Sequence, residues 1–505
     1  MNATRLSAVL CLGLLAALAA ACGAPAPSES IDEPIPRGKL DDFRSTIGYE
    51  YELTATASVT LAGDDAALEG EARAARAAEL AQSEVDRITR AVNSALDAIW
   101  SKDDKLQRGA ALTLRKGTFS AADMTVTADD ANTFTFTYKG QLAGRTDLLS
   151  KLPLETRDGR RVLDVDLGGD RTLELTFKQV DETPDAYPRY RELFEGGLDV
   201  TVHVGGDYNE ERYDLSKARE IFDKLAGELG FSKPEGVASF EDLALDSGPF
   251  TKTLRVDGEE VAVRVKLIHP DMAEDDALDT LVDAYKEQVK TADVVYYTGH
   301  AGLDASYSGV VVHYNPRVAL KAADFRNLEL PDKYQLFAFV GCETYAHYAD
   351  QIYHHPRKTT ANLDVITAVN YTRLSRSGQH FISFLEGLTA ADGAGQWAPR
   401  SYGQLLSPMN IESRTWVEIF GVHGLEDNPR LSPLARVETL GQSCSRASDC
   451  PGVDSRCVRL SGSDSSVCGV ACADQSACPE GYSCRRINTS WWNGPGKLSQ
   501  CLPTQ

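Results

Sequence analysis

DVVYYTGHAGLD, residues 293–304, is the stretch on which the reading of this chain turns. Val294, Val295, Tyr296 and Tyr297 form an uninterrupted apolar run. That is the pattern of a strand covered on both faces, not the alternation of a half-exposed one. The run stops abruptly on Thr298-Gly299-His300-Ala301-Gly302. A second run, QLFAFVGCETYAHY (335–348), stops in the same way on Gly341-Cys342. Two buried strands that each end on a glycine and a reactive side chain predict a parallel sheet with a site beyond its carboxyl rim.

The surrounding sequence extends that pattern. LDVTVHVGG (198–206) and LDVITAVN (363–370) read as further strands, and EEVAVRVKLIH (259–269) reads as a strand hairpinned to TKTLRVDG (251–258). Helical segments alternate with them at 214–231, where Asp214 is placed as N-cap, at 276–291, at 343–355 directly after Cys342, and at 377–388. Residues 197–434 are therefore expected to form an α/β domain with a mostly parallel sheet and helices on both faces. Residues 40–190 precede it as an α+β domain, with a period-two strand at 49–61 and an Ala-rich helix at 66–100. That domain holds no histidine, no cysteine and no Gly-rich phosphate loop.

Neighbouring strands lie about 4.8 Å apart. If 294–298 and 335–340 are neighbours, His300 and Cys342 emerge side by side. The intervening 299–334, with a hairpin-like GVVVHYN (309–315) and a helical ALKAADFRNL (319–328), are long enough for the right-handed crossover this requires. An imidazole beside a thiol promotes the thiolate and later protonates a leaving amine. A helix starting at Cys342 would favour the thiolate further. The backbone amides of Ala301 and Cys342 are placed to receive an oxyanion, and Gly299, Gly302 and Gly341 keep side chains away from a substrate backbone. No Asp or Asn is legible as a third member, so the arrangement reads as a dyad that calls for no cofactor and no metal.

VVYYTGHAG followed by LFAFVGCETY resembles the caspase-like superfamily of cysteine peptidases, which includes caspases, gingipains, clostripain and bacterial CHAT-type domains. In these, one hydrophobic strand ends in His-Gly and the next in the nucleophilic Cys. The resemblance spans roughly 198–434, and LEDNPRL (425–431) is faintly similar to the Gly-Asp-Pro segment closing gingipain-type domains. It implies a caspase-like fold, with His300 as general base and Cys342 as nucleophile towards peptide bonds. The chain departs from the family in carrying Ala301 where Gly usually follows His, a position at which only the amide is needed.

Plainer readings stand beside this one. A strand-end Cys also serves as a small core hydrophobe, and a strand-end His as a hydrogen-bonded structural residue. Two functions are thus carried forward: an exported surface cysteine endopeptidase acting through an acyl-enzyme, and a catalytically inactive caspase-like lipoprotein acting as a binding scaffold. His347, Asp350 and His354 share a helical face and, with His355, have the residue types of a metal site. Tyr345, Tyr348 and Tyr353 interleave with them and favour an aromatic helix. Trp491-Trp492-Asn493 reads either as a sugar-stacking platform or as tryptophans packed over a disulfide.

The chain's ends address its location. MNATRLSAVLCLGLLAALAAAC (1–22) reads as an export signal too short to span a membrane. It resembles a bacterial lipoprotein signal in which Cys22 becomes lipidated, with Ala19 where Leu is usual. Residues 23–39 form a Pro-rich tether. The expected location is the cell envelope, lipid-anchored at the outer membrane through Cys22, and the expected partner is a peptide or protein substrate. A net charge of -22 disfavours nucleic acid and anionic membrane surfaces.

Of the 11 cysteines, Cys11 and Cys22 fall in the signal and Cys342 stands alone. The rest crowd 441–505. CSRASDCPGVDSRC (444–457), closed by Cys468, aligns with CADQSACPEGYSC (472–484), closed by Cys501. The spacings lack the CxxC pairs of zinc sites, and export favours oxidation. Cys444, Cys450, Cys457, Cys468, Cys472, Cys478, Cys484 and Cys501 are thus expected in disulfides, in two modules too small to fold on apolar burial alone. Their connectivity cannot be read from the spacing.

Overall fold

The strands that carry the two motifs are buried at every position: Val294–Thr298 and Gln335–Val340 expose nothing. A computed structural model describes residues 42–115, 117–180, 184–301, 309–391, 395–413, 416–451, 455–460, 465–472, 475–487 and 499–504. The export signal, Cys22, the tether, Gly302, Asp304 and residues 491–493 lie outside the described residues. Among the described residues no helix is long and apolar enough to cross a membrane.

The chain is mixed α/β with several sheets. The largest has eight strands in the order Arg44–Ser45, Phe420–His423, Leu363–Ala368, Gln335–Val340, Val294–Thr298, Leu198–Val204, Glu259–Ile268, Phe250–Val256. Its five inner strands, from Leu363–Ala368 to Glu259–Ile268, run parallel. The outer ones are antiparallel, including the hairpin expected at its far edge.

Alternate side chains of the inner strands separate into two cores, as the period of a strand requires. Val200, Val202, Tyr296, Leu336 and Ala338 pack with the helices Tyr213–Ala226, Ser377–Leu388 and Tyr402–Leu406. Val295, Tyr297, Phe337, Phe339 and Val365 pack with Asp279–Thr291 and the short helices that follow Cys342. Burial on both faces explains why these strands lack polar alternation.

Residues 48–179 build a seven-stranded antiparallel sheet. In Gly48–Thr60, Tyr51, Leu53, Ala55 and Ala57 point inward. The helix Gly70–Ile99 covers that face with a stripe of Ala81, Val85, Ile88, Val92 and Leu96 at helical spacing. This unit joins the larger sheet in two ways. Arg44–Ser45 is that sheet's edge strand, and Phe43, Tyr345, Val369, Val417 and Ile419 lie in the smaller unit's own core.

Local expectations changed in three places. Asp214 is not the N-cap: the helix begins at Tyr213 after Arg212 in the left-handed region, and Asp214 is buried against Arg212 at 3.0 Å. Residues 319–328 are not one helix but the strand Val318–Lys321, paired with Gly309–His313, and a 3-10 turn. The segment after Cys342 breaks into Thr344–His347 and Ala349–Tyr353, preceded by Glu343 at φ 53°.

At the carboxyl end, four disulfides join Cys444–Cys457, Cys450–Cys468, Cys472–Cys484 and Cys478–Cys501. Each module thus links its first cysteine to its third and its second to its fourth. The Cys450–Cys468 bridge closes 18 residues, worth about 3 kcal/mol on a loop-entropy account. Converting both cysteines to serine is expected to destabilise this module by about that amount. Hydrogen exchange would read the effect as lost protection in 456–459 and 466–471 with 294–298 unchanged.

Candidate active site

The parallel register brings three strand ends together. Thr298 pairs with Val340 on one side and with Val204 on the other. Two residues beyond that register, His300 and Cys342 leave adjacent strands at matching positions, as the sequence led us to expect. The third strand supplies Asp207. Its Oδ1 lies 3.0 Å from His300 Nε2, and its side chain is fully enclosed. Cys342, His300 and Asp207 therefore follow one another along three neighbouring strand ends. With Nε2 committed to Asp207, Nδ1 is the nitrogen left for a thiol partner.

Asp207 escaped the sequence reading, although the trace was present. LDVTVHV ends on Gly205-Gly206-Asp207, the same apolar run closed by glycine and then a polar group. The carboxylate is itself held in place: Oδ1 accepts from the Asn209 amide at 3.2 Å and Oδ2 from the Tyr213 amide at 3.2 Å. Two tyrosines frame the imidazole. Tyr208 stacks on it at 4.7 Å and Tyr314 meets it edge-on at 5.2 Å. Tyr208 is 53% exposed and borders a cleft of about 260 Å³, which Glu210, Arg212, His313 and Tyr314 also line.

The rim loops are packed on each other. Tyr348, from the segment after Cys342, donates its hydroxyl to the Ala301 carbonyl at 3.3 Å, and the Gly299 amide donates to Val340 O at 3.1 Å. A Cβ at Gly341 would sit 2.8 Å from both the Ala301 methyl and the Gly299 carbonyl, and one at Gly299 would meet the Tyr297 hydroxyl at 2.8 Å. These two glycines thus permit the close approach of the loops rather than of a substrate. Among the described residues, no hydrogen bond is made by the amides of Ala301 and Cys342, and Ala301 is itself buried at 1% exposed.

The electrostatics of Cys342 differ from the expectation. The helix that follows begins two residues later and lasts only four residues, so little dipole acts on the sulfur. Burial pushes the thiol above its ordinary range; its contact with the Thr372 carbonyl, 3.9 Å from Sγ, pulls it back, while the charges of Glu343 and Glu418 add to the rise. The resting state is a neutral thiol. Alkylation of Cys342 by iodoacetamide is therefore expected to keep rising past pH 9. A rate that levels off below pH 9 would contradict this.

The Thr372 carbonyl is fixed from behind. Glu418 Oε1 accepts from the Arg373 amide at 3.0 Å and from Trp416 Nε1 at 2.6 Å. Its other oxygen lies 3.0 Å from His380 Nε2, and both side chains are buried.

Asp350, His354 and His355 are otherwise engaged. Asp350 faces Arg115 at 3.4 Å, His354 Nδ1 is bonded to the Asp350 carbonyl at 2.6 Å, and His355 Nε2 to the Leu328 carbonyl at 2.7 Å. The eight clustered cysteines are all in disulfides, and Cys342 is a free thiol.

Comparison with known proteins gives no family model, no curated protein and no solved structure that matches this chain.

Proposed function

We propose that this chain is an exported cysteine endopeptidase of caspase-like architecture, with Cys342 as nucleophile, His300 as general base and Asp207 as the group that orients His300. One observation carries the reading: the register of three parallel strands, Thr298 against Val340 and Val204, which sets a thiol, an imidazole and a buried carboxylate in order along one rim. The strand-end motifs, the order of strands and the amides of Ala301 and Cys342, which make no hydrogen bond among the described residues, support it.

In this reading a peptide carbonyl settles over Cys342. As Sγ bonds to the carbonyl carbon, the thiol proton passes to His300 Nδ1, and the carbonyl oxygen takes the negative charge. The amides of Ala301 and Cys342 donate to that oxyanion. Asp207 holds the ring by its Nε2–H and stabilises the imidazolium. The C–N bond then breaks, His300 returns the proton to the departing amine, and a thioester remains on Cys342. Water, deprotonated by His300, attacks the thioester, and the acid is released as the thiol reforms.

The envelope location, the lipid anchor at Cys22 and a peptide or protein substrate belong to the same proposal. A second reading, the inactive binding scaffold, is favoured by one observation, the upward-shifted thiol of Cys342. Cleavage of a mixed peptide library by the purified mature chain separates the two. Products that vanish in Cys342→Ala support the peptidase, and an intact library supports the scaffold.

A further inference from the structure

We infer that the 42–180 unit is a fixed part of the nucleophile's support, and that Glu50 within it is a positioning residue acting on Cys342 through Tyr345. The inference rests on the proposal that Cys342 is the nucleophile.

Glu343, immediately after Cys342, is one of five non-glycine residues in the left-handed region among the described residues, at φ 53°. Such a conformation costs free energy and persists only where its surroundings impose it. Two sets of contacts impose it here. The first is local. The Glu343 amide donates to Asn370 O at 3.1 Å. Thr344 Oγ1 donates to Phe339 O and accepts from the Ala368 amide, both at 2.8 Å.

The second set reaches across the molecule. Tyr345 is fully buried, and the socket that holds it belongs mostly to the N-terminal unit. Its hydroxyl donates to Glu50 Oε2 at 2.7 Å, between residues 295 positions apart. The Arg115 guanidinium lies 5.2 Å over its ring, Phe43 meets it edge-on at 5.2 Å and His423 stacks at 6.0 Å. Glu50 is 0% exposed. A fully buried carboxylate is expensive unless its neighbours answer it, and this one receives a hydroxyl from the segment that follows the nucleophile. Thr113 Oγ1 adds a bond to Val369 O at 2.6 Å, beside Asn370.

A detachable pro-region would leave Tyr345 and Glu50 facing water. The shared core instead makes the unit a permanent wall of the site. Only Glu343 and Thr344 separate Tyr345 from Cys342, so the socket fixes where the sulfur and the Cys342 amide stand relative to His300.

The test uses the full mature chain carrying Glu50→Ala, Glu50→Gln or Tyr345→Phe. Each variant is read by steady-state peptide cleavage, by the rate and pH profile of iodoacetamide alkylation at Cys342, and by Tm, with all rates taken well below Tm. A displaced nucleophile loses kcat while binding persists, roughly 10- to 100-fold for a shift near 1 Å. Glu50→Ala and Tyr345→Phe are expected to lose kcat by about that factor with KM within threefold, and to alter the alkylation profile. Glu50→Gln, which retains an acceptor for the tyrosine hydroxyl, is expected to restore most of the loss. If Glu50→Ala and Tyr345→Phe leave both kcat and alkylation within twofold of the parent, the inference is overturned while the peptidase reading stands. A parent chain that cleaves no peptide but whose alkylation depends on Glu50 keeps the socket and removes the peptidase reading.

Discussion

Cys342→Ala is expected to abolish peptide cleavage, lowering kcat/KM on the order of 10⁴-fold or more, and His300→Ala is expected to do nearly the same. In the proposed mechanism the two groups act as one unit. Without sulfur there is no thioester, and without the imidazole a thiol held above its ordinary range stays protonated and the leaving amine receives no proton. The double variant should therefore be no slower than the worse single variant, a non-additivity characteristic of groups in one constellation. Stability should change little, because Cys342 is only half-buried and its sulfur contacts Thr372 O at the long distance of 3.9 Å. Progress curves with a peptide substrate, measured beside Tm, check both halves. A Cys342→Ala chain that still cleaves at a tenth of the parental rate would remove this thiol from the mechanism.

Asp207→Asn is the second large effect. The carboxylate lies 3.0 Å from His300 Nε2 in a fully enclosed position. An asparagine of the same shape keeps the packing but removes the negative charge, and it favours the wrong tautomer when its amide faces the ring. In a Ser-His-Asp enzyme the corresponding change costs about 10⁴-fold in kcat. A thiol needs less help, so about 10²- to 10³-fold is expected here, with KM within a few-fold. The alternative is that Asp207 serves only its loop, accepting the Asn209 and Tyr213 amides. Steady-state kinetics distinguish the two: a purely structural aspartate would lower Tm in proportion to lost activity and leave kcat per folded molecule unchanged.

The sheet was legible because strands buried on both faces leave an unmistakable mark. VVYYT and QLFAFV are apolar but for Thr298 and Gln335 and show no polar alternation, and their endings on Gly-His and Gly-Cys stood out for that reason. The paired four-cysteine modules were legible from spacing alone, although the first-to-third and second-to-fourth linkage needed the fold. Asp207 was not found because adjacency is a property of topology. LDVTVHVGGD and LDVITAVN look alike as text, and nothing local says that the first of them lies beside the histidine strand.

The broken helix after Cys342 was missed for a related reason. ETYAHYADQIYHH keeps helical spacing, but its start is set by contacts with Asn370, Ala368 and Glu50, all distant in the chain. The edge strand Arg44–Ser45 has two residues and no periodicity to read. What the sequence could not announce was that the N-terminal unit reaches the rim at all.

We propose that Cys342 and His300 form one chemical unit. The most direct measurement is the inactivation rate of the mature chain by a peptidyl acyloxymethyl ketone, with the adduct mapped by mass spectrometry. The expected result is a single thioether on Cys342 in the parent and labelling at least about 100-fold slower in His300→Ala, as general-base assistance of that size requires. Equal rates in parent and variant, or an adduct at any other residue, would contradict it.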